Sequence, residues 1–194
     1  DRASSLTQQE AKDPKVVLPF SQTIVADGLR SSRPTAIVYC EGHFGAIDGK
    51  TANGLVRHSE KYEILSVIDS AKAGLDAGEV LDDSANGIPL CANLDEAIAH
   101  ADWVPDFLIF GMAPSTGMLS PIERLLMLKA MSLGMGLVNG LHEFLNDDPE
   151  FAAASVLHQV PILDVRRPRD KKDLRMWSGQ IANVACPRIA ILGT

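Results

Sequence analysis

The sequence predicts an α/β protein with a parallel β-sheet and helices on both faces of the sheet. Short apolar segments recur along the chain, bounded by Gly, Pro, Asp or Asn, as expected of parallel strands that are buried on both faces. Segments with helix-capping signals lie between them. Because strands alternate with capped helices, the connections are expected to be right-handed crossovers within one sheet.

Seven segments have the length and the apolar content of strands. Most of them are followed by a polar or glycine-bearing connection, so the sequence also indicates where loops leave the sheet. The predicted strands cover residues 36–40, 62–69, 88–92, 107–112, 136–139, 162–165 and 189–192.

Three helix starts are marked by side chains that can accept hydrogen bonds from the free N–H groups of a first helical turn. Asn93 and Ser120 are each followed three residues later by a glutamate, which is the pattern of a capping box. Asp148 is followed by a proline at the first helical position, where a missing N–H costs nothing. Gly134 marks the end of the helix that Ser120 opens.

The sequence divides into four regions by composition. Residues 1–15 are polar and unpatterned and predict a flexible arm, and residues 16–167 hold the strand and helix alternation. Residues 168–187 begin with a run of charges and predict a linker. Residues 188–194 predict the first strand of a further domain, since the chain stops where a loop and a helix are expected to follow.

Composition limits the classes of partner. The apolar content of 46% excludes a disordered chain, and a net charge of -7 argues against a nucleic-acid groove or an anionic membrane surface, which both need clustered Lys and Arg. No segment approaches the roughly 20 apolar residues of a membrane span, and the first residues lack the pattern of a signal peptide. A cytoplasmic protein that binds a small anionic metabolite is therefore expected.

The three cysteines, Cys40, Cys91 and Cys186, are widely spaced and lie in or beside apolar segments. They are interpreted as reduced core residues of a cytosolic protein. The alternative is one disulfide together with one reactive thiol.

The segment 40–54, CEGHFGAIDGKTANG, contains the Gly-Lys-Thr triplet that ends a phosphate-binding loop. The spacing fails, because Phe44 stands where the first glycine of the Walker A pattern belongs. The dinucleotide pattern G-x-G-x-x-G is also absent. What remains is a strand that leads through a glycine-bearing loop into a helix beginning near Thr51, a geometry that directs backbone N–H groups toward a ligand.

Three residues of the first two connections are candidate binding residues. Lys50 is a candidate cation for a phosphate or a carboxylate, or else a solvated lysine at a helix start. Thr51 is a candidate binding hydroxyl, or else a plain N-cap. Asp69 ends the second predicted strand about 20 residues after the first loop, where dinucleotide-binding folds place the carboxylate that contacts a ribose. The alternative for Asp69 is a turn or capping aspartate.

Later connections carry the candidate catalytic residues and further binding residues. Ser115 and Thr116 lie in a hydroxyl- and glycine-bearing loop that precedes a helix N-terminus and could hold an anion, or form only a turn. His142, Asp147 and Asp148 have the residue types that move a proton. However, the segment LHEFL has helical spacing, and Asp148 is also predicted to cap a helix.

Two arginines, Arg166 and Arg167, follow the predicted strand 162–165 and could bind a carboxylate or a phosphate through their guanidinium groups, or form surface salt bridges. No metal is predicted, because the His-Glu pair at 142 and 143 lacks the second histidine of H-E-x-x-H and no C-x-x-C is present.

Five segments of the chain form a distinctive set, namely GKTANGLVRHSEKYEILSVIDSAKAG, GIPLCANLDEAI, FGMAPSTGMLSP, GLVNGLHEFLNDDPEFAA and ILDVRRP. Taken together, these motifs resemble the N-terminal domain of a two-domain bacterial and archaeal family that was long described as having unknown function. Some members of that family are described as D-glutamate N-acetyltransferases. The resemblance spans about residues 17–194 and implies a Rossmann-like domain followed by a P-loop domain, with RIAILGT as the first strand of the latter.

The resemblance implies transfer of acetyl from acetyl-CoA to the amine of D-glutamate. Such a transfer needs a base and cations for two carboxylates. His142 or a neighbouring aspartate is the candidate base, and Lys50 and the two arginines are the candidate cations. Acetyl-CoA would be held mainly by the absent P-loop domain, so this chain alone is expected to be inactive.

Two alternatives remain open from the sequence. One is a regulatory or oxidoreductive module that binds NAD or another nucleotide through Asp69 and the first loop. The other is a domain whose main role is to form a homo-oligomer.

Overall fold

The computed structural model describes residues 33–114, 116–169, 171–174, 178–187 and 189, all of which belong to the unit Ser31–Thr194. Within these residues the strands are β1 (Thr35–Tyr39), β2 (Glu63–Ile68), β3 (Leu90–Cys91), β4 (Phe107–Phe110), β5 (Gly136–Asn139) and β6 (Ile162–Asp164). The α-helices are α1 (Lys50–Arg57), α2 (Ala77–Asp82), α3 (Leu94–Ala101), α4 (Pro121–Ser132) and α5 (Pro149–His158).

The six strands form one parallel sheet in the order β3-β2-β1-β4-β5-β6. The chain first builds outward from β1 to β3 and then returns to the other side of β1 to build β4, β5 and β6. The direction of building therefore reverses between β1 and β4. In open α/β sheets, the loops at this reversal leave a crevice outside the carboxyl ends of the two strands.

The helices cover both faces of the sheet. An ion pair of 2.7 Å between Arg57 and Asp82 joins α1 to α2. On the other face, Lys129 of α4 pairs with Asp95 of α3 at 2.7 Å, and α4 packs against α5. Right-handed crossovers require this division, because the sheet is built in opposite directions on the two sides of β1. The predicted parallel sheet with helices on both faces is confirmed.

The core lies between the sheet and its two helical layers. Every residue of β1, β4 and β5 is buried, which explains why these strands are continuous apolar runs without alternation. The edge strands are short, with two residues in β3 and three in β6, which limits the unpaired backbone at the sheet edges. The longest described helix, α4, has 12 residues, and no described helix is long and apolar enough to cross a membrane.

The predicted helix starts are confirmed. The Asn93 side chain accepts a hydrogen bond of 3.0 Å from the N–H of Glu96, and Ser120 forms a complete capping box with Glu123. The Asp148 side chain accepts hydrogen bonds from the first N–H groups of α5. Gly134, just past α4, has φ +94°, a conformation that glycine adopts without steric cost.

Several local predictions are wrong. α1 begins at Lys50 with Gly49 in the capping position, so Thr51 lies inside the first turn and is not the N-cap. The segment LHEFL is not an α-helix, since residues 141–143 form bends and its last residue, Leu145, begins the 3₁₀ turn Leu145–Asp147. Cys186 is exposed rather than buried in the core, because it follows the 3₁₀ turn Gln180–Asn183 instead of a strand. Cys40 and Cys91 are buried and reduced, as predicted.

Some predictions fall outside the described residues. These are the arm at residues 1–15, Ser115, and most of the predicted strand 189–192, of which Ile189 alone is described.

Candidate functional site at the carboxyl ends of the strands

All loops that were predicted to carry functional residues leave the same edge of the sheet, because the strands are parallel. At the crevice between β1 and β4, backbone hydrogen bonds join the loop and helix after β1 to the segment after β4. The N–H of Ala113 donates to the carbonyl of Asp48 at 2.9 Å, and the N–H of Ala52 donates to the carbonyl of Gly111 at 2.9 Å. One of the N–H groups at the start of α1 is therefore already used within the protein.

Gly49 of the Gly-Lys-Thr triplet is a packing glycine. A Cβ atom on Gly49 would lie 2.2 Å from the carbonyl oxygen of His43 and 2.9 Å from the sulfur of Cys40. A glycine is therefore required at this position because the loop after β1 folds back onto the start of α1. The side chain of Lys50 is exposed and forms no hydrogen bond or ion pair with any described residue, and Thr51 is exposed beside it.

Asp69 is fully buried at the end of β2 and holds two loops together. Its carboxylate accepts hydrogen bonds from the N–H of Phe44 at 3.1 Å and of Ala71 at 3.1 Å, and it pairs with Lys72 at 3.3 Å. Both of its oxygens are engaged by protein donors. The structure thus gives Asp69 the capping and bridging role, while contact with a ribose stays a prediction.

Glu41 is a polar residue of this edge that the sequence did not single out. Its carboxylate accepts a hydrogen bond of 2.9 Å from the N–H of Ser70 and a second one from the hydroxyl of Ser70. Like Asp69, Glu41 ties the loop after β1 to the loop after β2. The sequence indicates Glu41 only by its position, because it is a charged residue two positions after the last residue of β1.

On the other side of the crevice, His142 and Arg166 meet in front of β5 and β6. Nη1 of Arg166 lies 2.7 Å from Nε2 of His142, and both residues are exposed. A guanidinium can only donate hydrogen bonds, so Nε2 of His142 is the acceptor and its proton resides on Nδ1. The contact therefore places a neutral imidazole and a guanidinium cation next to each other.

The loop after β4 touches the loop that carries His142. A Cβ atom on Gly117, which has φ +68°, would lie 3.3 Å from Cδ2 of His142. The carboxylate of Glu143 accepts a hydrogen bond of 3.1 Å from the N–H of Leu119. These two contacts bring the loops after β4 and β5 together beside Arg166.

Thr116 belongs to the loop after β4 and makes a local turn. Its hydroxyl accepts a hydrogen bond of 3.3 Å from the N–H of Met118 and lies 3.2 Å from the carbonyl of the same residue. The side chain is exposed at the same edge of the sheet as His142. An anion-binding role for Thr116 stays a prediction.

Arg167 is held more firmly than Arg166. It pairs with Asp147 at 2.7 Å and lies 3.7 Å from Asp164, while its guanidinium stacks 4.8 Å from the centre of the Phe144 ring. Nearby carboxylates raise the pKa of Arg167, led by the hydrogen bond with Asp147. Arg167 and Asp147 are thus partners of each other.

The carboxylate of Asp164, at the end of β6, accepts hydrogen bonds from the end of β5 and from the loop that follows β5. Burial raises its pKa, but hydrogen bonds from Asn139, from Asn146 and from the N–H of Leu145 outweigh that effect, so the pKa of Asp164 is lower than usual. The ionised carboxylate therefore fixes the loop after β5, which carries His142.

Asp148 points toward α4 rather than toward His142. Its carboxylate pairs with Arg124 at 2.7 Å and caps α5 through the N–H of Glu150 at 2.9 Å. The hydrogen bond from Arg124 lowers the pKa of Asp148, which makes this carboxylate a weaker base. Of the three candidates for proton transfer, Asp147 and Asp148 have ion-pair partners, and His142 has the contact with Arg166.

The described residues also form a shallow groove at the opposite end of the sheet. It is lined by Arg33, Tyr62 and Glu63 among others, near the amino end of β2. Ligands of parallel sheets bind where the loops after the strands converge, so the carboxyl edge is the better candidate.

Comparison with known proteins agrees with this fold. Residues 70–168 match the family described as a domain of unknown function, DUF1611_N, a Rossmann-like domain, and the match covers half of the chain. The chain belongs to this family. No curated protein matches the DUF1611 chain.

Two solved structures resemble the DUF1611 chain. A crystal structure of a DUF1611 family protein from Anabaena variabilis is 27% identical, with a TM-score of 0.68, over 79% of this chain and 43% of that one. GenD2 from gentamicin A biosynthesis, solved in complex with NAD, is 16% identical with a TM-score of 0.47, over 73% of this chain and 37% of that one. The second likeness is too weak to bear on function. The DUF1611 chain spans less than half the length of either protein.

Proposed function

We propose that this DUF1611 domain binds the acidic amino-acid substrate of an N-acyltransferase that moves acetyl from acetyl-CoA to the amine of D-glutamate. The observation that carries the proposal is the contact of 2.7 Å between Arg166 and His142 at the carboxyl edge of the sheet. It combines a cation suited to a carboxylate with a neutral imidazole suited to accept a proton.

The proposed roles follow from the relative strength of two hydrogen bonds. A guanidinium binds a carboxylate through two charge-assisted bonds, which are stronger than its single bond to a neutral imidazole. A substrate carboxylate would therefore draw Arg166 away from Nε2 of His142. The freed Nε2 could then take a proton from the substrate ammonium group, which leaves the amine neutral and nucleophilic.

The transfer itself exchanges one bond for another. The amine nitrogen attacks the thioester carbonyl carbon, an N–C bond forms, and the C–S bond of acetyl-CoA breaks. The CoA thiolate leaves with the electron pair of that bond and is protonated to the thiol. Lys50, which is exposed and has no partner among the described residues, is proposed to bind the second substrate carboxylate.

Calorimetric titration of the chain with D-glutamate tests the proposal. Hydrogen bonds to charged groups contribute about 1.5–3 kcal/mol, so Arg166→Ala is expected to weaken D-glutamate binding by roughly 10- to 100-fold. Lys50→Ala should weaken it as well. Arg57→Ala is the matched control, because it removes the same side chain from the last turn of α1, at the opposite end of the sheet.

The outcomes separate the proposal from its competitors. Equal binding by the Arg166→Ala and Arg57→Ala variants, or no binding of D-glutamate by the folded chain, would contradict it. Acetyl transfer is expected only from a longer family member that includes the P-loop domain, with this chain binding the substrate without turnover.

A nucleotide in the crevice between β1 and β4 is the second candidate, and the strand order favours it. The same titration with NAD, ATP and acetyl-CoA tests it. Tight binding of NAD that is lost in Asp69→Asn, with the folded state intact, would favour a nucleotide module. Light scattering would test the expected homo-oligomer, which stays a prediction.

A further inference from the structure

A cluster of three metal-ligating side chains lies at the end of β3, apart from the residues of the proposed substrate site. The sulfur of Cys91, a ring nitrogen of His100 and a carboxylate oxygen of Glu96 all lie within 4.8 Å of one another. Cys91 is buried, Glu96 is half-buried and His100 is exposed. The cluster therefore extends from the core to the solvent.

Local folding explains why these residues meet. Cys91 is the last residue of β3, and α3 starts three residues later. Glu96 turns back over the start of α3 and accepts a hydrogen bond of 2.9 Å from the N–H of Ala92, which places its carboxylate beside Cys91. His100 follows four residues after Glu96 and lies on the same face of the helix.

We propose that Cys91, Glu96 and His100 bind a divalent transition metal, with Zn²⁺ as the best match to one sulfur, one nitrogen and one oxygen ligand. Three protein ligands leave the fourth tetrahedral position open to water or to a small ligand, which is the arrangement of reactive rather than purely structural zinc sites. The proposal does not depend on the proposed acyltransferase activity.

The spacing of the cluster is close to what a metal needs. Typical zinc bond lengths place tetrahedral ligand atoms about 3.4–3.6 Å apart, and the three atoms lie within 4.8 Å of one another, so the side chains need to close in by at most roughly 1.4 Å. Glu96 and His100 are partly or fully exposed, and rotation of their side chains can supply this movement. Cys91 is fixed by the sheet and provides the anchor.

Ser66 supplies a second, independent observation. It is fully buried on β2, and its hydroxyl has no hydrogen-bond partner of ordinary geometry among the described residues. It lies beside the thiol of Cys91, which belongs to the neighbouring strand β3. A metal-bound thiolate would accept a stronger hydrogen bond from this hydroxyl than a neutral thiol does, and outer partners of metal ligands commonly donate such bonds.

Each residue also has a simpler explanation taken singly. Cys91 packs in the core, Glu96 completes a helix start, and His100 favours the carboxyl end of a helix. These separate roles do not require the three ligand atoms to lie close together. They also do not explain why the buried hydroxyl of Ser66 lies beside the thiol of Cys91. Metal binding explains both features together.

Cobalt titration of the tag-free chain tests the proposal. Co²⁺ occupies zinc sites, and a thiolate ligand gives it a charge-transfer absorption in the near ultraviolet. The chain should carry Cys186→Ser, which removes the exposed thiol as a competing ligand. We expect one equivalent of Co²⁺ with this absorption, and its displacement by Zn²⁺.

Variants assign the ligands. Even the loss of an outer-shell partner costs about 10–100-fold in metal affinity, so Glu96→Gln and His100→Ala should each weaken Co²⁺ binding at least about tenfold. Cys91→Ser should abolish the thiolate absorption. Glu96→Gln keeps an oxygen for the N–H of Ala92, so the helix start is preserved. His158→Ala is the matched control, because His158 also lies in the last turn of a helix.

Three results would overturn the proposal. The first is a folded Cys186→Ser chain that shows no thiolate absorption with Co²⁺. The second is an absorption that persists in Cys91→Ser. The third is equal loss of affinity in His100→Ala and His158→Ala.

Discussion

The substitution Gly49→Ala tests whether the glycine of the Gly-Lys-Thr triplet serves packing. The added Cβ would lie 2.2 Å from the carbonyl oxygen of His43 and 2.9 Å from the sulfur of Cys40, in both cases far inside van der Waals contact. The carbonyl belongs to the backbone, so the clash cannot be relieved by a side-chain rotation. Overpacking of this kind costs about 1–3 kcal/mol, and occasionally more.

Gly54→Ala is the matched control for this substitution. Gly54 lies inside α1, the helix that Gly49 precedes as the capping residue, is exposed, and has nothing within 4 Å of where its Cβ would be. Alanine is better than glycine inside a helix by roughly 0.5–1 kcal/mol, so this variant should be more stable than the parent chain. Two identical chemical changes five residues apart are thus expected to have opposite signs.

Urea denaturation followed by circular dichroism measures both effects. In thermal scans of a domain of this size, each kcal/mol of lost free energy of unfolding lowers the melting temperature by about 2–4 °C. The Gly49→Ala variant should therefore melt roughly 2–12 °C lower than the parent chain. Equal stability of Gly49→Ala and the parent chain would refute the packing explanation. Destabilisation of the same size in Gly54→Ala would refute it too, because the effect would then not come from His43.

Three further predictions concern capping, acid stability and thiol reactivity. In urea titrations, Asp148→Ala should lower the free energy of unfolding by about 0.5–2 kcal/mol, because a helix cap is lost. The control Asp147→Ala removes an exposed partner of Arg167 and should change the free energy of unfolding by less than about 1 kcal/mol. The pKa of Asp164 is lowered in the folded state, so the unfolded chain binds more protons near that pKa. The ionised Asp164 carboxylate therefore stabilises the folded state at pH values above the ordinary aspartate pKa near 3.9, and this contribution is lost as the pH falls below that value. Asp164→Asn should therefore be less stable than the parent chain at neutral pH, with a difference that narrows in urea titrations at lower pH; a constant difference would contradict this assignment. A thiol reagent should modify the exposed Cys186 rapidly in the folded chain. Cys40 and Cys91 should react only after denaturation, because both are buried and burial raises their pKa values to about 12 and about 11. Rapid reaction of all three thiols in the folded chain would contradict the burial of Cys40 and Cys91.

The parts of the fold that depend on local chemistry could be predicted from the sequence. β5 is found at the predicted residues 136–139, because a fully buried strand between a glycine and an asparagine is visible as an apolar run. The starts of α3, α4 and α5 were equally visible, since the side chain that caps each helix lies within three residues of the N–H that it binds.

The candidate site was less predictable because its contacts join distant parts of the chain. His142 lies in a segment with helical spacing, yet Asn139 donates to the carbonyl of Glu143 at 2.7 Å and the Glu143 side chain reaches Leu119. Asp69 resembled a ribose ligand, but its oxygens are engaged by donors that include the N–H of Phe44, 25 positions earlier. The cluster of Cys91, Glu96 and His100 matches neither H-E-x-x-H nor C-x-x-C, because a cysteine at a strand end precedes E-x-x-x-H on a helix.

The two sides of the carboxyl edge differ in how far the protein satisfies its own polar groups. Beside β1 and β2, the carboxylates of Asp69 and Glu41 and the N–H of Ala52 are bonded within the protein, so a nucleotide entering there would have to displace existing hydrogen bonds. Beside β5 and β6, Arg166 is held only by a neutral imidazole among the described residues, and a carboxylate would improve that interaction. Replacing a weak partner costs less free energy than breaking the charge-assisted hydrogen bonds that these two carboxylates accept. For this reason the side formed by β5 and β6 is the better site for an anionic ligand, although the strand order alone would have favoured the crevice between β1 and β4.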